Sequence, residues 1–413
     1  MNSRLPISVF EHTVLNLKDN PVLLKALQGY YGQGVSYYSL VHNGVKFNSY
    51  VGVLQIGKQV IEVLPKAEKL DQDKGKWRKM LIDMLQAVRL IKADTTSHSA
   101  LRIKPNHILD LYFELFLVEI EKLVQSAGLI KRYRKIESNL TTLRGSIHFA
   151  KHIQLNHTHQ ERFYVRHGTF DHQHLLHKLI YKTLKLLSKI NTNLQLDSRI
   201  GSLLLHFPEQ DAIKVTEATF EKITFNRKNE RYRTAIEIAR MILLKFHPDI
   251  NKGNEDVLAL MFDMNRLWEE FLYVSLRKDE TMGHLVSKQT SRYFWKPVEG
   301  YRSRVRPDIW IKIGKGQHIV LDAKWKNLNG YNPSVDDLRQ MYVYHDYFDA
   351  KKVALIYPGK SKNNSHGKYY LPMGEELSDR SCSVLCIEPS DNIKRWQEDI
   401  CNDISKWIKF EHI

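Results

Sequence analysis

The stretch Arg306-Pro307-Asp308-Ile309-Trp310-Ile311, followed after Gly314-Lys315-Gly316 by His318-Ile319-Val320-Leu321-Asp322-Ala323-Lys324, decides how the chain is read. Two runs of β-branched and aromatic residues around a glycine-containing turn are the local signature of a β-hairpin. Asp308 enters its first strand. Side chains two apart on a strand share a face, so Asp322 and Lys324 emerge together while Ala323 turns away. Two carboxylates and one ammonium on one patch suit phosphodiester hydrolysis. The carboxylates hold one or two divalent cations, and the ammonium orients or deprotonates the attacking water or neutralises developing charge. In this reading Asp308, Asp322 and the backbone carbonyl of Ala323 are ligands for Mg²⁺, with Mn²⁺ as the alternative ion, and Lys324 is the third catalytic group. An acid-rich site at the end of an apolar strand is costly without a cation.

Outward from the hairpin, Val257 to Val274 reads as one helix that places Leu260, Met264, Leu267, Phe271 and Val274 on a single stripe. Glu269 and Glu270 lie at its edge, and either can supply a further acid. Arg302, Arg304 and Arg306 alternate along the strand that delivers Asp308, as a groove tracking a phosphate backbone requires. Beyond Lys324 a helix is expected from Val335 to about Tyr347, capped by Ser334, with Gln340 and Tyr344 stacked at i, i+4. Strands at Val353–Pro358 and Cys382–Ile387 and a closing helix at Asn392–Phe410 complete an α/β region.

Upstream, residues 35 to 65 read as short strands broken at Asn43-Gly44 and Gly57-Lys58, a small sheet or barrel closed by Pro65. Helical periodicity follows from Lys76, at Ile108–Ala127, from Asp171 to Ile190 and from Arg231 to Phe246. Leu143–Phe149 reads as a basic, strand-like return. Histidines crowd His148 to His177, but without the acidic, cysteine or glutamate partners of a zinc motif, and they receive no role.

The 413 residues suffice for two or three domains, and 43% hydrophobic residues mark globular chains. Lysine and arginine exceed aspartate and glutamate by 62 − 46 = 16. With a pI near 9.4, that excess favours a polyanionic partner. The three cysteines, Cys382, Cys386 and Cys401, match neither a disulfide framework nor a paired zinc motif. No apolar run reaches membrane-spanning length and the start lacks a signal peptide, so a cytoplasmic protein is expected.

Taken together, the motifs resemble the PD-(D/E)xK nuclease superfamily, and more narrowly the McrC family, the endonuclease subunits of McrBC modified-cytosine-dependent restriction systems. The resemblance runs through Tyr50-Val51-Gly52-Val53-Leu54-Gln55, Ile61-Glu62-Val63-Leu64-Pro65-Lys66, Leu143-Arg144-Gly145 and Met264 to Phe271, then Arg306-Pro307-Asp308 and Leu321-Asp322-Ala323-Lys324. It implies that Glu269, after Trp268, is the helix acid, and that Gln340 and Tyr344 form the Gln-x-x-x-Tyr element of such nucleases. It further implies a division of the chain into an N-terminal domain, 1–165, that engages a hexameric McrB-like AAA+ GTPase and stimulates GTP hydrolysis, a helical connector, 166–250, and a PD-(D/E)xK nuclease domain, 251–413. The substrate would be double-stranded, methylated DNA. GTP would be bound by the partner, since the chain has no Gly-x-x-x-x-Gly-Lys-Ser/Thr loop and nucleotide-binding residues are not expected in it. Two other readings compete: a stand-alone structure-specific nuclease of the same fold, and a catalytically silent DNA-binding scaffold.

Overall fold

The computed structural model describes residues 6–32, 34–66, 73–88, 108–126, 128–247, 256–288, 290–313, 317–326, 328, 332–372 and 374–409. These fall into two compact units, one drawn from residues 93–258 and the other from 4–92 together with 259–413. The linear partition at 165 and 250 therefore differs from the physical one: the N-terminal β-rich segment folds with the C-terminal segment. Strand pairing over long sequence distances is the cause, and local periodicity carries no information about it.

In the discontinuous unit, Ile7–Phe10 runs parallel to Gln59–Leu64, which pairs antiparallel with Tyr50–Ile56. Next in that sheet comes Val257–Asp263, whose residues from Ala259 onward belong to this unit. Gly52 makes the close approach possible. Its φ is +131°, and a Cβ there would lie 2.1 Å from the Leu260 carbonyl oxygen. A second sheet orders its strands as Val286–Ser287, Ile309–Ile313, Gln317–Ala323, Ala350–Pro358, Leu377–Ile387 and Ser365–Tyr370. The strands Gln317–Ala323, Ala350–Pro358 and Leu377–Ile387 are mutually parallel, and the crossover helix Val335–Phe348 joins the first two. Met341, Tyr344 and Phe348 of that helix pack with Val320, Val353 and Leu355 in one apolar layer. Elsewhere on the sheet Trp268 donates from Nε1 to the Ile356 carbonyl (3.2 Å) and stacks with Trp396 of the closing helix Ile393–Lys409.

The expected helix from Val257 is corrected: Val257–Asp263 is a strand, and the helix spans Met264–Lys278. Asp263 sets the boundary, because its carboxylate accepts from the amides of Asn265 (2.9 Å) and Arg266 (3.4 Å) and caps the helix. An apolar run buried on both sides satisfies helical and strand patterns alike, so Leu260 belongs to the sheet and not to the helical stripe. The strand Ser365–Tyr370, the strands Ile7–Phe10 and Val14–Asn16 and the helix Pro21–Tyr31 were not anticipated. Between the two expected turns the chain breaks once more, Gly44–Phe47 and Tyr50–Ile56 lying in different sheets. The glycine turn of the hairpin, residues 314–316, lies outside the described residues.

The other unit packs the helices Ile108–Ser126, Leu175–Ile190, Leu194–His206 and Arg233–Leu244 beside a three-stranded sheet of Arg132–Leu140, Phe163–Asp171 and Ser146–Ile147. The expected return at 143–149 shortens to Ser146–Ile147, because Phe149 already begins the helix Phe149–Asn156. The histidines do local structural work here. His148 and His174 accept from the Lys151 and Leu176 amides at helix starts. His177 is fully buried, with Nδ1 2.7 Å from the His172 carbonyl and Nε2 3.1 Å from the Tyr232 hydroxyl. Burial pushes its pKa down to about 4, so it is neutral at physiological pH. Cys382, Cys386 and Cys401 are free, buried thiols. Among the described residues no helix is long and apolar enough to cross a membrane.

Candidate active site

The hairpin pairs Ile309 with Leu321 and Ile311 with Ile319, which brings Asp308 and Ala323 together at one end of the two strands. Asp308 Oδ2 accepts from the Ala323 amide at 2.7 Å. Asp322, 1% exposed, points toward the crossover helix, where Gln340 Nε2 approaches its Oδ1 at 3.4 Å. Lys324 Nζ lies 2.5 Å from Asp322 Oδ2 and donates to Gln340 Oε1 at 3.2 Å. Gln340 also donates to the Tyr344 hydroxyl (2.7 Å), which donates to the Arg306 carbonyl (2.9 Å). One i, i+4 pair thus fixes the chain on both sides of Asp308: the Arg306 backbone before it and the Asp322–Lys324 pair across from it.

Asp308, Ala323, Lys324, Glu269, Glu270 and Arg306 line a cleft of about 500 Å³. Burial, then the neighbouring Asp322 and Glu269 carboxylates, push the Asp308 pKa up to about 7. Burial also raises the Asp322 pKa, against the opposing pull of Lys324. Burial alone would lower the Lys324 pKa, but the carboxylates of Asp322 and Asp308 outweigh it and hold it above the ordinary lysine range. The lysine is therefore an ammonium at neutral pH. A charge-neutralising role fits that state, and a general-base role does not.

The two helix acids separate here. Both carboxylate oxygens of Glu270 take Lys288 Nζ at 2.6 Å, whereas the Glu269 pKa is raised by burial and by Glu270 and its charge is felt at Asp308. Glu269→Gln should lower cleavage by about ten- to a hundredfold, and Glu270→Gln should change it less than threefold while costing some stability. Initial rates on plasmid DNA, measured beside melting temperatures, check both, and equal losses in the two variants would refute the distinction.

The arginines also separate. Arg302 and Arg304 gather over the Tyr293 ring at 5.0 and 4.5 Å, while Arg306, past the end of the strand Ser303–Val305, lines the cleft. Three neighbours carried no sequence signal. Asn265 Oδ1 accepts from the Trp325 amide (3.2 Å). Asp337, in the first turn of the crossover helix, is buried, pairs with Lys326 at 2.5 Å and lies 4.0 Å from Lys324. Glu11, from the far N-terminus, takes the Trp325 Nε1 hydrogen bond at 2.7 Å and the Lys66 amide at 2.9 Å on the same oxygen.

Glu11 is buried, and burial pushes its pKa up to about 7. Its contribution to folding is thus fully present below about pH 4.5 and lost as pH rises through 7. Glu11→Ala should cost about 1–3 kcal/mol at pH 6 by stranding two donors, whereas Glu11→Gln keeps the acceptor and should match or exceed the parent above pH 7. Thermal melts across pH 5–8 give the comparison, and an alanine variant as stable as the glutamine variant would contradict it.

Among the described residues no group of three or more His, Cys, Asp or Glu could hold a metal ion. Mg²⁺ keeps several waters and is commonly held by one or two carboxylates together with substrate phosphate. Two buried aspartates whose proton affinity is raised, Asp308 by burial and the Asp322 and Glu269 charges and Asp322 by burial, fit a dication that would relieve both.

Comparison with known proteins agrees with this architecture. Over 97% of its length the chain matches all of a chain in the half-complex from the tetradecameric assembly of Thermococcus gammatolerans McrB AAA+ hexamers with bound McrC, at 20% identity and a TM-score of 0.73. A second match, to the Thermococcus gammatolerans McrBC complex, covers 66% of this chain and 87% of that one, at 20% identity and a TM-score of 0.50. No curated protein matches the chain. The family described as McrBC 5-methylcytosine restriction system component matches residues 45–358, most of the sequence, and the chain belongs to that family.

Proposed function

We propose that this chain is the Mg²⁺-dependent DNA endonuclease subunit of a GTP-dependent restriction system directed at modified cytosine. Its C-terminal residues form a PD-(D/E)xK nuclease centre that cuts when the chain is assembled with an McrB-like AAA+ GTPase, whose GTP hydrolysis it stimulates. The observation that carries the reading is the constellation of Asp308, Asp322 and Lys324 at one end of a buried strand, where two buried carboxylates of raised pKa lie beside a lysine held as an ammonium. Family membership and the fold shared with McrBC assemblies support the partner.

Asp308, Asp322 and the Ala323 carbonyl would hold the metal, which supplies a water acidic enough to attack at neutral pH and charge for the transition state. Lys324, pinned by Asp322 and Gln340, places its ammonium where negative charge grows on the phosphorus oxygens. Glu269 accepts the proton of the attacking water or orients it. Gln340 and Tyr344 act as positioning residues by fixing Lys324 and the Arg306 backbone.

The test is reconstitution with the GTPase on supercoiled plasmid bearing methylated cytosine. Cleavage should require Mg²⁺, GTP and both proteins, and GTP turnover should rise when this chain is added. Robust cutting by the chain alone would overturn the partner-dependent part, and no cutting under any condition would overturn the nuclease assignment.

A further inference from the structure

The strand that delivers Asp308 is half of a second element that the catalytic centre does not use. Arg292–Trp295 and Ser303–Val305 form an isolated antiparallel ribbon, with Arg292 opposite Val305, Tyr293 opposite Arg304 and Trp295 opposite Ser303. Its register shifts between Tyr293 and Trp295, a bulge of the kind that increases twist and re-aims side chains. Nearly every residue of the ribbon is exposed. Two strands with so little burial contribute little to folding, so its aromatic content is not explained by a core. Trp295 is 59% exposed and Tyr301, between the strands, 99%, with Val298 beside it fully exposed. Apolar rings left in water on a projecting ribbon mark a binding surface.

Charge says what kind of surface. From Arg292 to Arg306 the segment carries Arg292, Lys296, Arg302, Arg304 and Arg306 against the single acid Glu299. The guanidiniums are fixed in place: Arg304 Nη2 donates to the Tyr293 hydroxyl at 2.8 Å, and Arg302 lies over the same ring. At the root of the ribbon Ser291, Phe294, Arg304, Arg306, Arg339 and Gln340 line a cleft of about 850 Å³. Arg306 lines this cleft and the acidic cleft of Asp308 alike. A polyanion laid along the ribbon therefore runs into the site where Asp308 and Lys324 meet. Fixed cations interleaved with free aromatic rings are the combination that binds nucleic acid through phosphates and unpaired bases together. Acidic protein surfaces satisfy the arginines but offer no reason for solvent-exposed rings at the bulge and the tip.

We propose that the ribbon 292–305 is a DNA-gripping element that stacks Trp295 and Tyr301 on bases opened from the duplex beside the cleavage site. The proposal rests on the nuclease reading and names how that site holds its substrate. It makes the preferred substrate a duplex with local single-stranded character.

Binding of the full-length chain to a fluorescein-labelled duplex, and to the same duplex carrying a short unpaired bubble, is measured by anisotropy in EDTA so that nothing is cut. The bubble should bind about tenfold tighter than the duplex. Trp295→Ala/Tyr301→Ala should lose about 10- to 100-fold on the bubble and erase the preference. Trp295→Phe/Tyr301→Phe, which keeps the stacking faces, should stay within about threefold of the parent. Melting temperatures should be unchanged in both, since these side chains are largely in solvent. An alanine variant that binds the bubble as the parent does would overturn the proposal and leave the ribbon to a protein partner. Equal losses in the phenylalanine and alanine variants would overturn stacking. A parent chain that binds neither DNA would overturn the ribbon proposal, whereas the nuclease reading falls only if the reconstituted complex fails to cut, which separates the two failures.

Discussion

Asp322→Asn should abolish DNA cleavage by the assembled complex, lowering it at least about a thousandfold, while GTP turnover by the partner should stay within about twofold. The size follows from what the carboxylate does. Asp322 is essentially inaccessible to solvent, contacts Lys324 at 2.5 Å and is approached by Gln340, so its removal takes away one of the two proposed carboxylate ligands and the counter-charge that holds the Lys324 ammonium. Asparagine preserves the shape, which keeps the fold and isolates the charge. Lys324→Ala should be nearly as damaging to cleavage. It also leaves the Asp322 carboxylate buried without a cation, so it should lower the melting temperature as well. Quantified nicking and linearisation of plasmid, run beside phosphate release from GTP, gives the split. Cleavage within tenfold of the parent for a folded Asp322→Asn protein would show that the chemistry lies elsewhere.

In EDTA at pH 8, Asp308→Asn melts several degrees above the parent. The sign follows from the pKa, which rises from the ordinary aspartate value of 3.8 to about 7 in the fold through burial and the charges of Asp322 and Glu269. A raised carboxyl pKa means the folded protein holds the proton more tightly than the unfolded chain. The associated stability is complete below about pH 4 and is lost as pH climbs through 7. Above that pH the parent carries the strain of an ionised Asp308, on the order of 2–4 kcal/mol, and the asparagine variant does not. Near pH 5 the two should converge. Added Mg²⁺ should raise the melting temperature of the parent at pH 8 and barely move that of the variant, because the ion relieves the same repulsion. Identical pH dependence of parent and variant between pH 5 and 8 would remove the electrostatic argument.

The candidate site was legible to the extent that chemistry sat in short contiguous text. Asp308, Asp322 and Lys324 lie on one hairpin, and strand alternation alone requires Asp322 and Lys324 to share a face. Gln340 and Tyr344 are one helical turn apart and meet as such a pair should. The choice of Glu269 over Glu270 came only from resemblance to a family. In the fold it rests on Lys288, which occupies Glu270 from a strand-end position that no spacing rule connects to the helix. The arginine alternation gave Arg302, Arg304 and Arg306 one role, and the fold gives them two, because the strand ends before Arg306.

By itself the sequence determined the hairpin, the crossover helix with its Ser334 cap, the helix Ile108–Ser126, and the placing of two acids and a lysine on one hairpin. Each follows from interactions among residues near in the chain, where side-chain period and capping are fixed by backbone geometry. The tertiary structure decided which distant segments share a unit. It made Val257–Asp263 a strand by setting it beside Tyr50–Ile56 against the bare backbone of Gly52. It also brought Glu11 to Trp325, next to Lys324. Such pairings depend on which backbone edges and buried polar groups find partners across the chain, a condition that no local pattern expresses.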